Sequence, residues 1–310
     1  MSAQVITADP IRILVIIVTY NGRDDIESCL APLFPKRPEV DILVIDNGST
    51  DGTPECVRGK YPAVEIIEKQ ENSGFGAANN IGIRYALKKD YDYVYLLNQD
   101  AWIAAEDIVR MATIHKAHPQ FGILSPLHVY REKTRVDKAF YNALPRDLLN
   151  DAVVDLDDRP DIYVTSHMVQ AAHWLVPCEV IKKVGCFSPA FFHYGEDHNF
   201  CHRVWFWGYK IGIVPSVKGV HDREHRINTT SKQLLLLSQR WRYFLSNPTV
   251  SNKRAAKMIV DSAFDAFGKY GVKALKPIPS FVKDVKRILH FKEMSRRPGA
   301  FLEELTKNEE

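Results

Sequence analysis

Two periodicities alternate across the N-terminal third of this chain, and that alternation constrains its fold more than any other feature. Short β-rich runs occur at "IRILVIIV", "DILVID", "VEII", "YVYLL" and "FGILS". Stretches of helical character lie between them, at residues 24–33, 77–88 and 106–118. Strands separated by helices predict βαβ units and a Rossmann-like, mostly parallel sheet flanked by helices, an α/β architecture. In such sheets ligands bind beyond the C-terminal strand ends. Three of those ends are polar: residues 13–18 run into "TYNGR", "ILVID" into "NGSTDGT", and "YVYLL" into "NQDAW". One polar end reads as an ordinary turn, since Asn and Asp turn well after strands. Three converging on one face of a sheet point to a site.

The alternation breaks between residues 127 and 160, where the chain is charged and irregular and reads as a flap over the sheet edge. "DIYVTSHMVQAAHWLVP" then reads as extended, residues 178–184 as a short helix, and "FFHYGEDHNFCHRVWFWGY" as a helix opened by an acidic pair. "KIGIVPSVKGVHD" is strand and loop again, and from residue 231 the chain is helical.

Composition narrows the class. Hydrophobic residues at 45% and charged residues at 25% suit a soluble globular enzyme. No apolar run approaches the roughly 18 residues that a spanning helix needs. The opening "MSAQVITADP" lacks the basic start and apolar centre of a signal peptide. Cys29, Cys56, Cys178, Cys186 and Cys201 are scattered without a CxxC pair, which fits a reducing cytoplasm. Net charge is only +3, yet from residue 251 onward 13 Lys/Arg stand against 8 Asp/Glu. That basic end is too dilute for a nucleic-acid partner and suits an anionic membrane surface.

A βαβ opening suggests a nucleotide, but the usual phosphate loops are missing. The first turn, "TYNGRDD", has one glycine where a dinucleotide fold needs G-x-G-x-x-G, and no P-loop is present. Without a glycine cradle a diphosphate is most simply held by a divalent cation on oxygen ligands. Asp100, closing a buried strand, would supply a carboxylate, and Asn98 a neutral oxygen or a hydrogen bond.

Five segments now fall into one pattern: "VTYN" (18–21), "DNGSTDGT" (46–53), "NSGFGAANNIGI" (72–83), "LLNQDA" (96–101) and "GEDHNFCHR" (195–203). Their order and spacing resemble the family 2 glycosyltransferases, and the "NQDA" form looks most like the rhamnosyltransferase-type members. The resemblance spans roughly residues 13–222. It implies the A-type glycosyltransferase fold with a helical C-terminal extension, hence a nucleotide-sugar-binding catalytic region at residues 1–230 and a helical region at 231–310. It implies an inverting transfer from a dTDP- or UDP-sugar, dTDP-L-rhamnose favoured, to a glycan or lipid-linked acceptor in bacterial surface polysaccharide synthesis. Mg²⁺ or Mn²⁺ would assist. The alternatives are a sugar nucleotidyltransferase, which would need a glycine-rich loop, and a degenerate scaffold.

By the same resemblance Thr19, Tyr20, Asn21 and Asp46 lie at the base, and Asn72, Gly74 and Asn80 carry the ribose and close beneath the donor. Asn98 and Gln99 sit at the nucleotide diphosphate. Asp100 and His221 match metal positions, with Asn98 replacing the first acid of the family's DxD. Asp197 matches the general base and Glu196 orients the acceptor hydroxyl, while His198 and Trp174 are the acceptor candidates. An acidic pair at a helix start is also a common structural device, stabilised by the macrodipole. Arg223, His225, Arg226, Arg240 and Arg242 are candidate phosphate contacts. His198 and His202 stand four apart, but Asn199 occupies the place where a zincin needs its Glu.

In "IPSFVKDVKRILHF", Ile278, Phe281, Val282, Val285, Ile288 and Leu289 make one apolar stripe opposite Lys283, Asp284, Lys286 and Arg287. That stripe packs on the core or on a second copy in a homodimer. Alternatively it lies on the inner face of the plasma membrane, bringing a cytoplasmic enzyme to a lipid-linked acceptor.

Overall fold

The computed structural model describes residues 10–154, 160–223 and 229–303. Its strands are β1 (Ile13–Thr19), β2 (Val40–Asp46), β3 (Glu65–Glu68), β4 (Tyr93–Asn98), β5 (Ala101–Trp102), β6 (Phe121–Val129), β7 (Tyr163–Thr165), β8 (His173–Pro177) and β9 (Lys210–His221). Helices α1 (Ile26–Leu30), α2 (Thr53–Lys60), α3 (Phe75–Lys88) and α4 (Ala105–Ala117) connect the first strands. Further on come α5 (Lys138–Tyr141), α6 (Arg146–Val154), α7 (Cys178–Val184) and α8 (Glu196–Phe206). The chain continues as α9 (Thr230–Ser246), α10 (Asn252–Tyr270) and α11 (Ile278–Met294).

The strands form one sheet in the order β3-β2-β1-β4-β8-β6-β9-β5, with β7 also on β9. From β3 to β4 it is parallel throughout, as the helix crossovers require. The long β6–β9 ladder is parallel too, so parallel pairing dominates. β8 runs antiparallel to both β4 and β6, and β5 and β7 antiparallel to β9.

Alternate residues of β1 feed opposite cores. Leu14 and Ile16 join Ala78, Ile83 and Ala86 of α3 on one face. Ile13, Val15 and Ile17 join Ile26 of α1 and Ile108 and Met111 of α4 on the other. A strand apolar on both faces gains little from one register over its neighbour, since a slip leaves apolar side chains buried either way. Register is fixed instead by where each run stops. Thr19 pairs with Asp46, and Val18 with Asn98, so three polar ends align on one edge.

Over residues 127–148 the stretch expected as a flap is built into the sheet and the core instead. Residues 127–129 complete β6, and Phe140, Ala143, Leu144 and Leu148 are buried in the core that holds Leu96 and Trp174. Their spacing is helical, hidden among charges. The His128 ring stacks on Phe140 at 4.0 Å and 12°.

α9 is a shared wall. Leu236, Gln239, Arg240 and Tyr243 face the cavity described below. Leu234, Leu237, Trp241 and Leu245 pack with Ala255, Ala266, Phe281 and Ile288 of α10 and α11. The expected stripe of α11 is therefore a packing face: Phe281 and Ile288 are buried and Val285 and Leu289 packed beside them. Only Ile278 and Val282 of that stripe are exposed. Among the described residues no helix is long and apolar enough to cross a membrane.

Candidate active site

The aligned strand ends open into a cavity of about 1160 Å³, walled by residues 72–75, the end of β4, the start of α8, the end of β9 and α9. Of the expected nucleotide contacts, Tyr20, Asn72, Gly74, Asn98 and Gln99 line it, together with Asn47, which sequence reasoning missed. Gln99 Oε1 accepts the Tyr20 amide at 2.8 Å, tying the β1 turn to the β4 end. Gly74 has φ of 89°, and a Cβ there would stand 2.1 Å from the Phe192 carbonyl. Only glycine lets the α3 start press against residues 188–195, the segment that leads into α8.

Thr19, Asn21, Asp46 and Asn80 stand behind the lining, each with an internal partner. Thr19 Oγ1 donates to Asp46 Oδ1 at 2.8 Å. The Ser49 amide and hydroxyl donate to the same carboxylate at 2.9 and 2.6 Å. Asn21 donates its amide to Ser49 Oγ and accepts the Thr50 amide, both at 2.9 Å. Asn47 bonds Asn72 and Ser73 in turn. Asn80 clamps the Phe187 backbone from both sides, donating to its carbonyl at 3.0 Å and accepting its amide at 2.8 Å. These residues build the rim that cavity-lining residues stand on.

At the opposite end, the Ala101–His221 pairing of β5 with β9 brings His221 beside Asp100. Both are buried, and His221 Nε2 lies 3.5 Å from Asp100 Oδ1. Neither His221 ring nitrogen has a hydrogen-bond partner among the described residues, and neither does the buried Asn98 Oδ1. Buried polar atoms are nearly always bonded, so orphans grouped in one cavity mark where ligand atoms belong. Asp137, also missed, N-caps α5 and accepts Arg223 Nε at 2.6 Å; its Oδ2 lies 3.9 Å from His221 Nδ1. Its only sequence signal is an aspartate before a short apolar helical period.

No group of three or more His, Cys, Asp or Glu poised around one metal position occurs among the described residues. One carboxylate beside an orphaned imidazole still fits a cation that takes its other oxygens from a bound diphosphate. Arg223 is held by Asp137 and Gln170 and lines the cavity, as does Arg240. Arg242 faces away, bonded to Asp284 and Ser280 of α11. His225 and Arg226 lie outside the described residues.

Gly195, at φ of 94°, ends a tight turn and starts α8 with Glu196 and Asp197 on the cavity wall. Burial first, and the Asp197 charge second, raise the Glu196 carboxyl far above the usual carboxylate range. That shift favours the protonated form. Glu196 Oε2 has no hydrogen-bond partner among the described residues. Asp197 Oδ1 accepts the His198 amide at 2.8 Å. The His198 ring stacks on Tyr243 of α9 at 4.1 Å and 10°.

A side chamber of about 420 Å³ shares His198, Met168 and Gln170 with the main cavity and continues to His202 and Trp205. His198, His202 and Trp205 fall on one face of α8. Trp174, the other acceptor candidate, lines neither cavity. It is fully buried in β8, its ring 6.1 Å from Phe187 and 5.6 Å from Phe200. Trp205 is the tryptophan that reaches the chamber.

Comparison with known proteins fits this geometry. The low-salt glycan biosynthesis hexosyltransferase Agl10 of Haloferax volcanii is 27% identical over 243 residues, covering 76% of each chain. The N-acetylglucosaminyl-diphospho-decaprenol L-rhamnosyltransferase of Mycobacterium tuberculosis is 27% identical over 239 residues, covering 68% of this chain and 76% of the relative. The dTDP-rhamnosyl transferase RfbF of Shigella flexneri is 27% identical over 218 residues, covering 68% and 69%. Among solved structures, TarS 1-349 of S. aureus with UDP superposes with a TM-score of 0.54 at 15% identity, over 97% of this chain and 92% of TarS. PcManGT, a mannosyltransferase of Pyrobaculum calidifontis solved with GDP-Man and Mn²⁺, gives 0.53 at 20%, over 96% and 87%. These likenesses show the A-type glycosyltransferase fold. The model of Glycosyl transferase family 2 matches residues 14–182, more than half of the 310. The chain belongs to that family and is a glycosyltransferase.

Proposed function

We propose that this chain inverts the anomeric centre of a sugar as it moves it from dTDP-L-rhamnose to a hydroxyl of a glycan or lipid-linked acceptor. One observation carries the reading: a buried Glu196 and a partly exposed Asp197 adjoin at the start of α8 and line the same cavity as Asp100 and His221. Two acids in different environments take different roles. Asp197 accepts the acceptor's proton as the hydroxyl oxygen bonds the anomeric carbon from the side opposite the nucleotide. The bond from that carbon to the diphosphate breaks in the same displacement. Protonated Glu196 donates a hydrogen bond and orients the hydroxyl.

Tyr20, Asn47, Asn72, Gly74, Asn98 and Gln99 are the proposed nucleotide contacts. Asp100 and His221 would hold a divalent cation, which when bound neutralises charge on the departing diphosphate. His198 and Trp205 line the side chamber, and a flat ring there suits the apolar face of an acceptor sugar.

Support for rhamnose comes from the names of two relatives, one naming L-rhamnose and a lipid diphosphate acceptor and one naming dTDP. A thermal-shift screen of nucleotides and nucleotide sugars, with and without Mn²⁺, tests the donor. Stabilisation greatest with dTDP-L-rhamnose is expected. Preference for another nucleotide sugar would replace the donor, and consumption of a nucleoside triphosphate with a sugar phosphate would replace the reaction.

A further inference from the structure

α10, the 3₁₀ turn Gly271–Leu275 and the start of α11 form a hairpin behind α9, on the side away from the cavity. Its inner face is packed, with Ala266, Ala274 and Phe281 buried. Its outer face is not. Phe264 is 72% exposed, Val272 74% and Val282 62%, and Phe267 and Leu275 are also open. At 1.5 Å of rise per residue, Phe264 lies about 9 Å from the α10 end and Val282 about 6 Å from the α11 start. All five therefore cluster at one end of the hairpin. Most large apolar side chains elsewhere in this chain are buried, so such a group needs an occupant.

Charge says which occupant. Residues 264–283, which carry the group, contain Lys269, Lys273, Lys276 and Lys283 against one carboxylate, Asp265. All four lysines are exposed, and among the described residues Lys269, Lys273 and Lys276 have no carboxylate partner. Apolar side chains ringed by unpaired lysines match an anionic bilayer, whose headgroups take the ammonium groups while the rings enter the acyl boundary. A second copy of this chain would bring the same lysines together and repel itself.

We propose that the hairpin end docks on an anionic membrane surface. The reading stands apart from the sugar-transfer assignment, because none of these residues lines the cavity.

The test is sedimentation of the full chain with vesicles of phosphatidylglycerol and phosphatidylcholine, against phosphatidylcholine alone. The intact chain should bind the anionic vesicles at least tenfold more tightly. Phe264→Ser with Phe267→Ser should weaken that binding by at least about tenfold. Lys269→Glu, Lys273→Glu and Lys276→Glu together should weaken it by on the order of a hundredfold. Nucleotide binding and melting temperature should stay unchanged in both, which reports that the variants fold. Equal binding to both vesicle types, or binding unaffected by either variant, overturns the proposal. So does a solution dimer that dissociates in the phenylalanine variant, since a second copy would then be the occupant.

Discussion

At the β1–β2 end of the cavity, Thr19, Asp46, Asn47, Ser49 and Asn72 bond one another. At the β4–β9 end, Asn98 Oδ1 and both His221 ring nitrogens are buried with no hydrogen-bond partner among the described residues, and the same holds for Glu196 Oε2. The first end holds its shape without a ligand, because these polar groups bond one another, and Asn47 and Asn72 present its face to the cavity. The second end is completed only by something added: a cation, a diphosphate oxygen or an acceptor hydroxyl. A finished rim gives rigidity, and an unfinished wall gives chemistry. The difference also explains why family-motif residues divide, some lining the cavity and others only supporting it.

The comparison can be broken at either end. The largest effect belongs to the unfinished wall: Asp197→Asn should lower kcat by roughly a thousandfold, the usual worth of a general base, while nucleotide affinity stays within about threefold. Steady-state turnover alongside nucleotide titration reads both, and intact turnover would remove Asp197 as the base. Next comes the rim. Asp46→Ala strands three donors and should cost about 2–4 kcal/mol of stability in a denaturant titration. A cost near zero would mean that the rim is not the frame described.

The smallest expected effect sharpens the role of Glu196. Its carboxyl pKa rises on folding from the ordinary 4.5, so wild type loses stability as pH climbs from there toward the folded value. Glu196→Gln removes that loss. The variant should melt a few degrees above wild type at pH 8, with the difference vanishing at pH 4, where both states are protonated. A gap that persists at pH 4 would point to packing rather than to ionisation.

Much of this was legible in the chain, for a physical reason. Asn98, Asp100, Glu196 and His221 are polar residues set against apolar strands or an aromatic segment, and that contrast survives in one dimension. The parallel half of the sheet followed from its alternation. Trp174 did not, because "HWLVP" is buried on both faces and nothing in it distinguishes a core ring from a site ring. Asp137 was hidden in a charged stretch whose apolar period is short. The clamp of Asn80 on Phe187 could not be read from the chain, because the two lie 107 residues apart. The α11 stripe was read correctly as amphipathic, but an amphipathic pattern does not name what covers it.

The central claim is that the two ends differ in what completes them, and Mn²⁺ separates them most directly. The ratio of nucleotide affinity with Mn²⁺ to affinity without it, measured by calorimetry, should be preserved in Asp46→Ala and fall to near one in Asp100→Ala. A ratio lost in Asp46→Ala and kept in Asp100→Ala would contradict the account.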